Sequence, residues 1–490
     1  MIETDELVQH RLNKLARLRE LDIDPYPAHF HRTHSAAAAI QQYETLPAGT
    51  ESPEIVVAGR LVANRPMGKA TFAHILDGSG RLQIFLKRDV LGEMAYDLYK
   101  QCDLGDFIGA RGRLFRTRTG EITLEVHEFV MLAKALRPLP EKWHGLVDVE
   151  KRYRQRYLDL IANPDVKQAF ILRSKMVANV RRFMDERGFV EVETPVLQAH
   201  AGGAMARPFV THYHALDRDF YLRIALELAL KRVLVGGIDK VYEIGRLFRN
   251  EGISTKHNPE FTMMESYEAY ADYYDVMKMV EELVSTVALE TLGTTSVMSG
   301  TETIELSPPW PRISLRQAIL EHSGIDFQQF PDAVSLRDEM VARGYRVDPR
   351  MGRGKLIDEL LSVAVEPKLI QPTFLIDYPI ELSPLAKKKP GDPALVERFE
   401  AFAGGIEIAN AFTELNDPMD QRERFRQQSL LRMAGDEETE LLDEDFLIAL
   451  EHGMPPAGGL GIGIDRLAMV LTNSQSIREV ILFPQLRTRE

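Results

Sequence analysis

The stretch that decides the fold is Phe248-Arg249-Asn250-Glu251, followed by a loop carrying His257 and then by Glu260-Phe261-Thr262-Met263-Met264-Glu265. β-compatible residues on both sides of the turn-forming segment 252–259 predict a strand–loop–strand hairpin. Period-two alternation puts Arg249 and Glu251 on one face of the first strand. On the second strand it puts four residues on one face: Phe261, Met263, Glu265 and Tyr267. Such a face suits a nucleotide plus a small charged substrate, although a solvent-facing hairpin braced by salt bridges has the same pattern.

Length and composition indicate a globular protein of several domains. The 490 residues allow two to four domains, and 44% hydrophobic with 27% charged residues is ordinary for such proteins. The single cysteine, Cys102, excludes an intramolecular disulfide framework and any zinc site built on several cysteines. No apolar run reaches the roughly 18–20 residues that span a bilayer, and no signal peptide is expected. We therefore expect a cytoplasmic protein with no membrane partner.

The charge is distributed unevenly along the chain. The formal net charge of −13 argues against a protein that binds nucleic acid over its whole surface. Between residues 55 and 135, however, 12 Lys and Arg face 9 Asp and Glu. This local excess of positive charge is compatible with an RNA partner that touches one region, and equally with chance fluctuation.

Residues 51–135 have the pattern of a small β-barrel, after a helical segment at 1–50. Five short strands are predicted, with a helix after the third: 55–61, 71–76, 82–86, 107–115 and 122–130. This order is typical of the OB-fold, which binds single strands by stacking bases on aromatic side chains. Phe72 and Gln83 lie on adjacent predicted strands, and Phe72 is either such a stacking residue or a core aromatic.

The rest of the chain reads as a linker at 136–164 and one large α+β unit at 165–490. A helix is predicted over 170–187, ended by Gly188, with a strand at 189–193. The glycine-rich segment 458–463 leads into a predicted helix at 464–471, whose first turn carries Arg466. A cation at a helix N-terminus favours phosphate, although a plain strand-to-helix turn explains the glycines as well.

Neither of the two common nucleotide-binding loops is present in the sequence. Glu400 and Glu407 are close enough in sequence to share a divalent cation such as Mg²⁺ with substrate phosphates, or to be solvated surface carboxylates. Arginines, carboxylates and a glycine-rich strand together indicate nucleotide binding outside the two standard folds.

Read together, these segments resemble the class II aminoacyl-tRNA synthetases. Residues 170–195 are similar to motif 1 of that family, 241–270 to motif 2, and 458–471 to motif 3. Four further segments resemble the bacterial-type lysyl-tRNA synthetases rather than their aspartate and asparagine relatives: 202–209, 222–228, 257–265 and 410–417. The resemblance covers nearly the whole chain. It implies an OB-fold barrel followed by a catalytic domain built on an antiparallel sheet.

The resemblance also implies a reaction and its partners. The expected activity is a ligase that joins L-lysine to tRNA(Lys) at the cost of ATP, with Mg²⁺ as cofactor, in a homodimer. The implied lysine-binding residues are Gly203, Glu227, Arg249, Glu265, Tyr267, Asn410, Phe412, Glu414 and Gly461. The implied ATP-binding residues are Arg249, Glu251, His257, Phe261, Glu400, Glu407 and Arg466, of which Arg249 and Arg466 are catalytic and Glu400 and Glu407 bind the metal. The implied anticodon-binding residues are Phe72, Gln83 and Glu121.

The sequence departs from the family pattern around the implied substrate pocket. Leu226 stands where proline is usual, Ala229 where tyrosine is common, and Ala409 and Ala411 where many members have glycine. These changes concern the shape of the pocket and leave its charged residues in place.

Three other interpretations compete with the resemblance. A paralogue that lysylates proteins characteristically lacks the barrel, which is expected here. A catalytically dead relative would have lost the arginines or the Glu400/Glu407 pair. An aspartate or asparagine enzyme is opposed by Glu227 and Glu265.

Overall fold

The computed structural model describes residues 6–140, 146–200, 202–433 and 442–487, without the side chains of 431–433. The chain divides into two compact units, Met1–Gly145 and Leu146–Glu490. Each unit has its own hydrophobic core and is described by itself.

The first unit is a closed five-stranded barrel, which confirms the predicted OB-fold. Its strands are β1 (Glu51–Met67), β2 (Ala70–Leu76), β3 (Arg81–Lys87), β4 (Phe107–Arg116) and β5 (Ile122–Ala133). They close in the order β1-β2-β3-β5-β4, and every pair is antiparallel except β3 with β5. Alternate side chains such as Ile75, Ile84 and Leu124 fill the interior, so the intervening residues of each strand face outward.

Four helices accompany the barrel in the described part of this unit: α1 (Glu6–Glu20), α2 (Ala36–Gln42), α3 (Arg88–Leu91) and α4 (Glu93–Tyr99). The last two lie after the third strand, where the sequence predicts a helix. Ser35 caps α2 by accepting a hydrogen bond from the Ala38 N–H.

The second unit is built on a nine-stranded sheet that is antiparallel through its centre. Its path is β14 (Arg312–Ser314), β15 (Thr373–Pro379), β17 (Asp392–Ala403), β18 (Ile406–Thr413), β19 (Ala457–Gly463), β11 (Glu260–Ala269), β10 (Lys240–Phe248) and β6 (Val190–Glu191), with β16 (Lys388–Lys389) beside β17. Only the two end pairs, β14 with β15 and β10 with β6, are parallel. The remaining strands form two small sheets: β7 (Leu197–Gln198), β8 (Val210–Tyr213) and β9 (Arg218–Leu222), and β12 (Ser296–Ser299) with β13 (Glu302–Glu305).

Helices surround this sheet. They are α5 (Val149–Arg154), α6 (Arg156–Ala162), α7 (Pro164–Glu186), α8 (Glu227–Val235), α9 (Tyr273–Leu292), α10 (Leu315–Ser323), α11 (Ala333–Ala342), α12 (Arg353–Leu360), α13 (Pro418–Met433), α14 (Glu444–Glu451), α15 (Ile464–Thr472) and α16 (Ile477–Val480). The apolar faces of α7, α9 and α15 join the sheet in one core. The antiparallel sheet confirms the predicted fold class.

The predicted hairpin is present, but its first strand is shorter than expected. β10 ends at Phe248, so the alternation predicted for Arg249 and Glu251 on a strand is wrong. The chain leaves the ladder because the Asn250 N–H donates to the Arg207 carbonyl and the Glu251 N–H to the Arg249 carbonyl. On β11 the predicted alternation is confirmed, since four side chains of this strand face one cavity: Phe261, Met263, Glu265 and Tyr267.

The predicted linker at 136–164 contains two helices of the second unit. Within the residues that the structure describes there, α5 and α6 follow Leu146, the first residue of that unit. Arg156 anchors α6, because its buried guanidinium pairs with Asp159 at 2.6 Å and donates to the Leu482 carbonyl. The domain limits near residues 50, 135 and 164 stay predictions.

Among the described residues, no helix combines the length and the apolar character needed to cross a bilayer.

Candidate active site

One cavity of about 380 Å³ lies against the centre of the sheet in the second unit. Two rows of directly paired residues cross β11, β19, β18 and β17 in that order: Glu265–Gly461–Asn410–Glu400 and Tyr267–Gly459–Phe412–Arg398. Residues paired in this way project from the same side of a sheet. Because β19 contributes only glycine to both rows, the flanking side chains border an open space.

Three buried carboxylates, Glu227, Glu265 and Glu414, form what we call the carboxylate end of the cavity. Glu265 accepts hydrogen bonds from the Leu226 N–H at 3.0 Å and from the Tyr267 hydroxyl at 3.2 Å. Burial raises the pKa of Glu265 to about 7, although both hydrogen bonds oppose the rise. Buried carboxylates need a partner of opposite charge, so this end of the cavity favours a cationic ligand.

A buried lysine lies directly behind the carboxylate end. The Lys231 Nζ is 2.6 Å from Glu227 Oε1 and also contacts Glu414 Oε2. Burial favours the neutral amine, but the two carboxylates outweigh it and raise the pKa of Lys231. The Lys231 side chain is 0% exposed, so its charge belongs to the wall of the site.

Arg249, His257 and Arg466 form the opposite, arginine end of the cavity. The Arg249 guanidinium carbon lies 5.2 Å from the centre of the Phe261 ring. Burial lowers the pKa of Arg249, but a guanidinium keeps its charge at neutral pH. A cation beside a flat ring offers one surface to a phosphate and another to a base.

Arg466 is held at the N-terminus of α15, as the sequence predicts. Its guanidinium donates to Glu407 Oε2 at 2.7 Å and approaches His257 Nε2 at 3.2 Å. Burial and the charge of Arg466 lower the pKa of His257, so the neutral ring can accept this hydrogen bond. Asp465 fixes the helix start, because it accepts from the Thr262 N–H and from Arg173, both at 2.7 Å.

Glu400 lies behind the cavity on the strand next to Glu407. Its Oε1 accepts from Arg398 at 2.5 Å, and Arg398 also donates to the Asn410 side chain at 3.1 Å. Burial raises the pKa of Glu400 to about 8, against the effect of Arg398 and with added repulsion from Glu407 and Asp358. Within the described ranges, no three metal-ligating side chains of His, Cys, Asp or Glu are grouped as a metal site.

Two glycines on the cavity wall are required by space. A Cβ on Gly459 would lie 1.7 Å from Glu414 Oε1, and one on Gly203 would lie 3.0 Å from the Ala225 Cβ. Gly203 also has a φ of +88°, a conformation that other residues rarely adopt. On Gly461 a Cβ would make an ordinary contact of 3.4 Å with the Met263 Sδ. The predicted role of Gly461 in making room stays a prediction, whereas Gly459 was not predicted.

The structure brings nearly all of the predicted substrate residues into this one cavity. The following predicted residues line it: Gly203, Glu227, Arg249, Glu251, His257, Phe261, Glu265, Tyr267, Glu407, Asn410, Phe412, Glu414, Gly461 and Arg466. Glu400 contacts it through Arg398. Two residues of the site were not among the predicted ones: Lys231 and Arg398. Each had a sequence signal, since Lys231 follows Glu227 by one helical turn and Arg398 shares a strand face with Glu400.

On the barrel, three half-buried rings form what we call the aromatic face: Phe72, Phe85 and Phe115. Phe72 stacks on Phe85 with ring centres 4.2 Å apart, and Phe115 lies 6.2 Å from Phe85. Beside them the Gln83 amide donates to Glu121 at 2.8 Å and accepts from Thr123 at 2.7 Å. The three predicted anticodon residues are therefore on the same outer surface of β2, β3 and the start of β5.

Comparisons with known proteins agree with this arrangement. Residues 148–487 match the family of class II tRNA synthetases (D, K and N), and residues 55–132 match the OB-fold nucleic acid binding domain. The chain is 56% identical to a lysine–tRNA ligase of Moorella thermoacetica, over 99% of both proteins. It is 57% identical to one of Dehalococcoides mccartyi, over 98% of this chain and 97% of that protein. It is 52% identical to one of Bacillus subtilis, over 99% and 98% respectively. The chain therefore belongs to the class II tRNA synthetases and, within them, to the lysine–tRNA ligase family.

Proposed function

We propose that this chain activates L-lysine with ATP and transfers it to the 3′ end of tRNA(Lys) for protein synthesis. The observation that carries the choice of lysine is the charge at the carboxylate end. Three carboxylates face one internal cation, Lys231, while the nearby Arg398 is paired with Glu400. Burial raises the pKa of all three carboxyls, so a ligand with ammonium groups favours their ionised forms. The resulting surplus of two negative charges matches the two ammonium groups of lysine. An aspartate site would need a surplus of cations instead.

Glu227 and Glu265 each bind one ammonium group of the substrate in this proposal. Tyr267, Asn410 and Phe412 surround the remainder of the side chain, with the two rings against its methylene groups, and Glu414 also accepts from a substrate ammonium group. Glu414 supports this assignment, because among the described residues its Oε1 has no hydrogen-bond partner and it lies on the cavity wall. A buried carboxylate oxygen of this kind is stabilised when a substrate N–H donates to it.

ATP occupies the arginine end. Arg249 binds the α-phosphate and Arg466 the γ-phosphate, while His257 donates the N–H of its neutral ring to the phosphates. Phe261 stacks on the adenine, and Glu251 accepts from its amino group. The 5.2 Å between the Arg249 guanidinium and the Phe261 ring suits a base and its α-phosphate bound side by side.

The first reaction is an in-line displacement at the α-phosphorus. A carboxylate oxygen of lysine attacks, the bond to the bridging oxygen of the β-phosphate breaks, and pyrophosphate leaves with the electron pair. No general base is required because the attacking carboxylate is already ionised at neutral pH. Arg249 and Arg466 supply positioning and stabilise the charge that develops on the phosphates.

The acidic pair Glu400 and Glu407 fits a Mg²⁺ ion. Burial and the nearby charge of Glu407 raise the pKa of Glu400, so a cation shared by the two would stabilise the ionised form of Glu400. Two carboxylates with substrate phosphates are an ordinary magnesium ligand set. Such an ion would neutralise charge on the phosphates of ATP. Arg398 and Arg466 hold the two carboxylates in place.

In the second reaction a ribose hydroxyl of the tRNA attacks the carbonyl carbon of lysyl-adenylate. AMP leaves with the electron pair of the broken bond, and the hydroxyl proton is released. The barrel binds the anticodon, with a base stacked on Phe72 and its edge read by Gln83 and Glu121. The positive excess of the barrel segment and the exposed surface of the aromatic face support this assignment.

We further propose a cytoplasmic homodimer. Apolar side chains are exposed around the segment that resembles motif 1, among them Ile171 on α7, Val190 on β6 and Leu197 on β7. Exposed apolar side chains on this segment support an interaction surface there. Sedimentation of the purified protein measures this directly: a dimer is expected, and a monomer at micromolar concentration would contradict it.

The proposed reaction is tested by its products. With labelled lysine, ATP and purified tRNA(Lys), we expect lysyl-tRNA, AMP and pyrophosphate in equal amounts. Release of ADP, or transfer of the label to protein while the tRNA stays uncharged, would contradict the proposal. Omission of Mg²⁺ should abolish product formation, and its addition should restore it.

A further inference from the structure

Lys231 lies directly behind the carboxylate end and pairs with two carboxylates that line the cavity. It lies one helical turn after Glu227 on α8, and its Nζ contacts both Glu227 Oε1 and Glu414 Oε2. The two carboxylates come from separate elements, since Glu414 directly follows β18. One buried ammonium therefore joins the helix to the sheet at the point where the substrate binds.

The contacts of Lys231 divide the carboxylate oxygens into two sets. One oxygen of Glu227 and one of Glu414 are bonded to Lys231, and both residues also line the cavity. The Glu414 Oε1 points toward Gly459, where a Cβ would lie 1.7 Å away. Only the oxygens that Lys231 does not occupy are available to a substrate.

We propose that Lys231 is the positioning residue of the carboxylate end: it holds one oxygen of Glu227 and one of Glu414, aims their remaining oxygens at the substrate, and so sets the preference for an amino acid with two ammonium groups. This inference rests on the proposed function and deepens it. Lys231 itself is not among the residues that line the cavity, whereas Glu227 and Glu414 are, so it acts on the substrate through these two carboxylates.

The charges around Lys231 determine the effect of removing its ammonium group. Glu265 and Tyr267 face the pair from β11, Arg398 faces Glu227 from β17, and Arg249 lies nearer Glu265. Arg398 is engaged by Glu400, so it cannot replace the lysine. Without Lys231, the mutual repulsion of Glu227 and Glu414 in a buried site would be unopposed, and the pKa of both carboxyls would rise further.

The test measures lysine-dependent ATP–pyrophosphate exchange for Lys231→Met between pH 6.5 and 8.5. We expect the KM for lysine to rise at least tenfold at pH 7 and to fall again as the pH increases, while the KM for ATP changes less than twofold. The matched control is Lys240→Met, which removes a half-exposed lysine paired with Glu268 at 2.7 Å outside the cavity. Its lysine KM should equal that of the unmodified protein at every pH.

A purely structural role predicts a different outcome. It predicts that the KM values for lysine and ATP rise together in Lys231→Met, with no dependence on pH, and that result would overturn the inference. An unchanged KM for lysine would overturn it as well. If the unmodified protein shows no lysine-dependent exchange, the proposed function itself fails, which is distinct from either result.

A second pair of variants tests the inference even if Lys231→Met does not fold. In Glu414→Gln, Lys231 pairs with Glu227 alone, and its charge then opposes the binding of the substrate ammonium groups. Adding Lys231→Met in that background frees Glu227, so the double variant should have a lower lysine KM than Glu414→Gln alone. A higher KM in the double variant would contradict the proposed role. Circular dichroism and the Tm of each variant confirm that the compared proteins are folded.

Discussion

The aromatic face of the barrel and the cavity of the second unit differ in the physics of the recognition that we propose for them. The aromatic face presents half-buried rings, with Phe72 and Phe85 stacked at 4.2 Å, on the outer surface of a closed barrel. The cavity encloses buried charges, among them Glu265 and Glu414, that are balanced only in part by the protein. Stacking tolerates water and neighbouring bases, whereas a buried charge without its partner is costly.

This difference predicts which residues affect each of the two reaction steps. Residues of the cavity should affect amino-acid activation and therefore both steps, while residues of the aromatic face should affect only the step that uses tRNA. The size of the effects should also differ, because charge stabilisation in an enclosed site contributes more than the stacking of one base. Four substitutions test this contrast.

The largest effect is expected for Arg249→Met. Its guanidinium is the proposed partner of the α-phosphate, where negative charge develops in the transition state. Removal of one such donor costs about 10²–10³-fold in kcat. Pyrophosphate exchange and tRNA charging should fall together. Loss of tRNA charging alone would contradict the claim that residues of the cavity affect amino-acid activation.

Glu265→Gln should have the next largest effect. The amide keeps the shape of the carboxylate but removes the charge that pairs with a substrate ammonium. A hydrogen bond to a charged group contributes about 1.5–3 kcal/mol, so kcat/KM for lysine should fall about 10- to 150-fold with a higher KM. The measurement is pyrophosphate exchange at varied lysine, and an unchanged KM would remove Glu265 from the binding site.

Phe72→Ala tests whether a substitution on the barrel affects only the step that uses tRNA. Loss of one stacked base costs about 1–3 kcal/mol, which corresponds to about 5- to 150-fold in the KM for tRNA. Exchange with lysine and ATP should be unchanged. Val130→Ala, at an exposed position on β5, is the control and should alter neither assay. Equal losses in both assays for Phe72→Ala would mean that the ring is structural.

The smallest effect is expected at Leu226, whose N–H donates to Glu265 at 3.0 Å. Glu265 binds a cation only when ionised, so kcat/KM for lysine should fall as the pH decreases through about 7, the pKa of this buried carboxyl. Leu226→Pro removes the N–H and should move this midpoint upward by about one unit. Leu226→Ala keeps the N–H and should leave the midpoint in place while lowering Tm. Equal midpoints in the two variants would show that the hydrogen bond does not tune Glu265.

The fold and most of the cavity wall could be predicted because the signals were local. Alternation along β11 placed Phe261 and Glu265 on one face, and turn residues separated the five barrel strands. The course of the chain after Phe248 could not be predicted in this way, since hydrogen bonds to distant carbonyls end the strand.

Lys231 shows why charge balance was harder to predict than position. A glutamate followed four residues later by a lysine is ordinarily a solvent-exposed pair on a helix surface. Here the helix is buried, and the second partner, Glu414, is remote in sequence. Only the tertiary structure reveals that the lysine belongs to the site. The same holds for Arg398, which connects Glu400 with Asn410 across two strands.

The central claim is that the cavity selects lysine by its two surplus negative charges. ATP–pyrophosphate exchange measured separately with each of the twenty amino acids tests it most directly. We predict exchange with lysine that exceeds exchange with every other amino acid, with arginine and aspartate near background. Exchange driven by aspartate or asparagine, or no exchange with lysine, would contradict the account.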